Sequence, residues 1–103
     1  MLQYKINFDD LNWEELIKGV KHKVYKYGDK QLRLVVYTKE MPTHWCEKGH
    51  FGVILEGEFE IEFENEKQVF RKGNGVFIPD GAEYKHRARV LSESVKVLFI
   101  EDV

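Results

Sequence analysis

An all-β fold, two packed sheets or a closed barrel with one short helix in front, is what this sequence predicts, and three observations predict it. From Val20 onward the apolar residues recur with period two rather than 3.6. Turn-forming residues interrupt that pattern at short, regular intervals, as in Gly28-Asp29 and Gly73-Asn74-Gly75. A chain of 103 residues, 43% of them hydrophobic, can fill one compact core but not two, so a single domain over 1–103 is expected.

The elements follow in order. Asn12 as a cap and Glu15 three residues later form a capping box ahead of Leu16, Ile17 and a stop at Gly19, which predicts a helix of about two turns. VKHKVYKY and QLRLVVYTK flank Gly28-Asp29-Lys30 and read as a hairpin. FGVILE and EFEIEFE flank Gly57, and the second run puts Phe59, Ile61 and Phe63 on one face. Glu58, Glu60, Glu62 and Glu64 fall on the other, a solvated one. KQVFRK, VFIP, YKHRARV and SVKVLFIE complete eight or nine short antiparallel strands, which must cover one another to bury their apolar faces.

Charge and composition exclude several function classes. Sixteen basic against eighteen acidic residues, with no basic stripe, argue against a nucleic-acid partner. No stretch approaches the roughly 18 apolar residues of a membrane span, and MLQYKINFDD lacks the apolar run of a signal peptide, so no membrane partner and a cytoplasmic location are expected. A lone cysteine makes no internal disulfide. Cys46 is a buried small hydrophobe, a reactive thiol or a ligand.

The segment HWCEKGH gathers His44, Cys46 and His50 within seven positions. Residues two apart on a strand share a face, so His44 and Cys46 look the same way. A turn at Glu47-Lys48-Gly49 then lets His50 open a returning strand opposite them. By the same parity Tyr84 and His86 share a face farther along, and Trp45 points away from the cluster. Each histidine also has a purely structural alternative, bonded to a carbonyl or lying at the surface, and His22 is read as structural.

Two motifs then carry a resemblance. His44-x-Cys46, three residues, His50, six residues, Gly57 is followed by Gly73, five residues, Pro79-x-Gly81, two residues, Tyr84. In this frame, about 44–57 and 73–88, the chain resembles the cupins, in particular small single-domain cupins of the cupin 2 type. The departures are Cys46 where the pattern has histidine, His50 where it has glutamate, Tyr84 where it has histidine and Ala88 where it has asparagine.

The resemblance implies a small antiparallel jelly-roll barrel whose motifs converge on one cavity. It further implies one divalent transition metal ion (Zn, Fe, Mn, Ni or Cu) held by His44, Cys46, His50 and His86, with Tyr84 orienting substrate or carrying a proton. Phe51 and Phe77 are expected to make the pocket apolar. A small, anionic organic compound is the expected ligand, transformed by a dioxygenase or isomerase. The alternative is a sensor or binding module without catalysis. A homodimer is expected, because so small a barrel leaves an apolar face or strand edge to cover.

Overall fold

The computed structural model describes residues 2–103. Its strands are β1 (Glu14–Ile17), β2 (Val20–Tyr27), β3 (Lys30–Thr38), β4 (His50–Glu56), β5 (Glu58–Phe63), β6 (Lys67–Arg71), β7 (Gly75–Ile78), β8 (His86–Val90) and β9 (Ser94–Asp102). They form a six-stranded sheet ordered β1-β2-β3-β9-β4-β7 and a three-stranded sheet ordered β6-β5-β8, with every pairing antiparallel. After β4 the chain crosses to the small sheet for β5 and β6, returns to the large one for β7, crosses again for β8 and returns for β9, the winding of a jelly roll. Among the described residues no helix is long and apolar enough to cross a membrane.

The helix expected over Asn12 to Gly19 is a strand instead. Glu14 and Glu15 pair with His22 and Lys21, and Ile17 with Val20, so the segment is an edge of the large sheet. A two-turn helix is too short to be stable alone, and Leu16 and Ile17 give it little to pack. Pairing with the open edge of β2 satisfies the same backbone groups and places Leu16 and Ile17 against the space between the sheets. Helical geometry is confined to two short 3₁₀ turns among the described residues, Phe8–Asp10 and Ala82–Tyr84.

Alternation decides the rest. Val35, Ile54, Val95 and Val97 are fully buried on the inner face of the large sheet, and Phe59 and Ile61 answer them from β5. Phe59 joins the two layers: its ring lies 6.0 Å from that of Tyr37 on β3 and 6.0 Å from that of Phe70 on β6. The outer face of β5 is not merely solvated. Glu58, Glu60 and Glu62 stand opposite Arg71, Arg89 and Arg87 and bond to them at 3.0, 3.4 and 2.8 Å. Exposed pairs of this kind are worth little individually, yet a row of them disfavours a one-residue slip of register. Gly57, with φ of 80°, makes the β4–β5 turn in a conformation side chains avoid.

Truncating Phe59 to alanine is expected to cost about 3–5 kcal/mol in urea unfolding at neutral pH. A loss below about 1 kcal/mol would show that this ring does not couple the two sheets.

Candidate functional site

The packed core fills only part of the space between the sheets. The remainder is a cavity of about 350 Å³ whose lining includes His44, Cys46, His50 and His86. These four come together by a route other than the expected hairpin. Cys46 does not face a returning strand at His50; it bridges His86, exchanging two backbone hydrogen bonds of 2.8 and 3.0 Å. Residues 47–49 then cross to the large sheet, where His50 opens β4 opposite Ile78. Cys46 and His86 therefore extend the small sheet, and His50 reaches the cavity from the large one.

The crossing is held by the second motif. Gly49 N–H donates to Asp80 Oδ1 at 2.6 Å, and Gly81 N–H donates to the Glu47 carbonyl at 3.0 Å. Gly49 passes so close to the Ile78 carbonyl that a Cβ would collide with it, so only glycine fits. The two motifs are thus the halves of one clasp.

His86 is the most enclosed candidate, 5% exposed. Its Nδ1 lies 3.0 Å from the Tyr84 carbonyl, which can only accept, so Nδ1 carries the proton and Nε2 the lone pair. Nε2 is buried and has no hydrogen-bond partner. Burial lowers the tendency of this ring to protonate, against the Tyr84 carbonyl, and the nearby His50 adds to the lowering. An unpaired buried lone pair is costly unless something electron-deficient meets it.

His50 is held in the same way by a stronger partner. Its Nδ1 donates to Glu101 Oε2 at 3.1 Å, which leaves its Nε2 lone pair uncommitted among the described residues. Its ring stacks on Phe99 at 4.6 Å and meets His86 edge-on at 5.6 Å. Glu101 is 6% exposed and accepts from Arg33 Nε at 2.8 Å, Arg33 Nη2 at 3.1 Å and Gln31 Nε2 at 3.0 Å as well. Burial works to raise the pKa of this carboxyl, but the bonds from His50 and Arg33 and the guanidinium charge outweigh it and hold the group well below the usual carboxylate range.

The other candidates stand farther out. His44 is exposed at the rim, and the Cys46 thiol is directed at the Lys48 carbonyl, 3.9 Å away. Among the described residues no three His, Cys, Asp or Glu side chains are arranged to hold a metal ion. The donor chemistry nevertheless fits one at His86 and His50, whose Nε2 lone pairs are already set; a fuller set requires His44 and Cys46 to rotate inward.

Tyr84 does not share a face with His86. It ends the second 3₁₀ turn, and its side chain lines a separate groove with Phe63 and Phe77, so only its carbonyl serves the cavity. Phe51 and Phe77 do not line the cavity either. Strand parity puts them on the outer face of the large sheet, where they pack edge to face at 4.7 Å. The apolar lining comes from Leu16, Ile17, Tyr37, Phe59 and Ile61. Trp45 points outward under Arg87, 4.6 Å from its ring.

Arg33, Tyr37 and Glu101 were not among the residues expected at the site, though a signal for them exists. In QLRLVVY and SVKVLFIE, Arg33 is in phase with Val35 and Tyr37, and Glu101 with Val95, Val97 and Phe99. A charge in core phase on one strand calls for its opposite in core phase on another.

No family model matches the sequence, and no curated protein matches it. Solved structures do. KdgF from Halomonas sp. has a TM-score of 0.77 at 23% identity, over 97% of this chain and 94% of that one. A cupin-2 domain protein from Shewanella frigidimarina has 0.69 at 23%, over 95% and 94%. The iron(II) form of HppE has 0.74 at 13%, over 93% of this chain and 58% of its own. The likeness shows a cupin fold.

Replacing Glu101 by glutamine leaves Arg33 buried without its counter-charge and is expected to cost about 3–5 kcal/mol. Because the folded carboxyl ionises below its unfolded range, its contribution is complete above about pH 4.3 and is lost as pH falls through the lower folded value. Urea unfolding from pH 7 down to pH 3 should show that acid limb in the native chain and a flatter one in Glu101→Gln; equal slopes would contradict the assignment.

Proposed function

We propose that this cupin-fold chain holds one divalent transition metal ion (Zn, Fe, Mn, Ni or Cu) at His44, Cys46, His50 and His86, and binds a small organic anion beside it. The observation that carries the reading is the His86 ring, with Nδ1 anchored on the Tyr84 carbonyl and Nε2 buried without a partner. A neighbour solved with iron(II) supports it. When bound, such an ion supplies Lewis-acid polarisation of a ligand oxygen. The chain's own part is to fix two imidazoles through Glu101 and Tyr84, and to exclude water with an apolar wall. Imidazole donors leave the ion's charge largely uncompensated, which favours an anionic ligand. Cys46, as thiolate, would remove part of that charge and soften the site.

The placement of His44 and the Cys46 thiol away from the cavity centre favours a second reading, a metal-free pocket that binds the same class of ligand without turning it over. Metal analysis of protein purified without added metal, followed by zinc titration calorimetry, separates the two. The native chain should bind one equivalent, and His50→Ala and His86→Ala should each weaken binding about 10- to 100-fold or more. Unchanged binding in both variants would exclude the metal reading. Turnover of small acids and diketones by the loaded protein would mark an enzyme, and its absence a binding module.

We further propose a cytoplasmic homodimer joined through the outer face of the large sheet. Phe77 is 80% exposed there, with Phe51 beside it and Ile100 on the same face of β9. Light scattering at micromolar concentration should give twice the chain mass, and Phe77→Glu should halve it; a native monomer would refute the assembly.

A further inference from the structure

Two polar groups in the cavity wall carry hydrogen-bonding capacity that the protein leaves unused. Arg33 gives Nε and Nη2 to Glu101, and its Nη1 has no partner among the described residues. The side chain lies on the inner face of β3, lines the cavity and is only 15% exposed, so the guanidinium belongs to the cavity wall rather than to the outer surface. Its direction is fixed, because the two-point contact with Glu101 sets the guanidinium plane and the Phe99 ring lies 5.4 Å away. Tyr37, four residues on along the same face, also lines the cavity. Its hydroxyl makes no hydrogen bond to a described residue. Burial pushes this phenol up to about 12 against the lowering effect of the Arg33 charge, so it is a neutral O–H donor on the same cavity wall as the guanidinium.

We propose that Arg33 Nη1 and the Tyr37 hydroxyl form the seat for the carboxylate of a small organic acid, and so make this cavity select acids over neutral compounds of the same shape. The proposal rests on the reading that the cavity binds a small anion, but not on the metal. A guanidinium edge matches a carboxylate in shape and charge, and an apolar surround strengthens the match. Donors left unpaired by an uncharged isostere give the discrimination. Arg87, the other arginine at the cavity, is a poorer seat. It leaves β8 on the outward face, bonds Glu62 at 2.8 Å, lies over Trp45 and is 39% exposed.

The test is nitrogen-15 NMR of the full chain, metal-free and with zinc, titrated with benzoate, pyruvate and neutral benzamide. The two carboxylates should move the Arg33 Nε–H signal while benzamide does not. Arg33→Lys, which keeps a charge for Glu101, should weaken benzoate about tenfold; Tyr37→Phe, about fivefold; and Arg87→Met should leave it unchanged. Should Arg33→Lys fail to fold, Tyr37→Phe and the native Arg33 signal still decide. If zinc does not bind but carboxylates still move Arg33, the metal reading falls and the carboxylate seat stands. The proposal is overturned if benzamide binds as tightly as benzoate, if the Arg33 signal moves in neither form, or if Tyr37→Phe and Arg33→Lys both bind like the native chain.

Discussion

The buried carboxylate of Glu101 is the group on which the site depends. It sits at the end of β9, a strand otherwise phased for the core, and gathers Gln31 and Arg33 from β3 and His50 from β4. An isolated charge there would be untenable, and three donors make it tolerable. The arrangement works in both directions. Arg33 is held with one edge spent and another free, and His50 is held with Nδ1 spent and Nε2 free, so a single ion pair between two strands orients a donor edge and a lone pair around one cavity.

The second constraint is the clasp between the two turn segments. Cys46 and His86 pair backbone to backbone, Gly49 and Gly81 bond across to Asp80 and Glu47, and no side chain fits at Gly49. These contacts fix the distance between the sheets at the end where the core stops. The core itself, from Val35, Ile54, Phe59, Val95 and Val97, fills the other part. The cavity lies beside that core, with Leu16, Ile17 and Tyr37 in its wall.

Much of this could be read from alternation alone. The strand VKHKVYKY has the bounds expected of it, and the faces of β5 were legible because a period of two leaves no other assignment. Glu14 to Ile17 was misread because a capping box is a local signal, while the open edge of β2 that captures the segment is a tertiary one. Tyr84 was misplaced for a related reason: parity holds only within a strand, and the 3₁₀ turn at Ala82–Tyr84 breaks it two residues before His86. Residue spacing brought His44, Cys46, His50 and His86 to one cavity but could not show which sheet each came from. That information lies in the Cys46–His86 bridge, which joins residues 40 positions apart.

Glu101 and the Tyr84 carbonyl hold His50 and His86 with their Nδ1 protons committed and their Nε2 lone pairs turned to the cavity. Long-range proton–nitrogen NMR of the histidine rings in the metal-free chain at neutral pH measures this directly. Both rings should show the Nδ1–H tautomer, with His50 changing tautomer in Glu101→Gln and His86 unaffected. An Nε2–H tautomer at His86, or at His50 in the native chain, would contradict it.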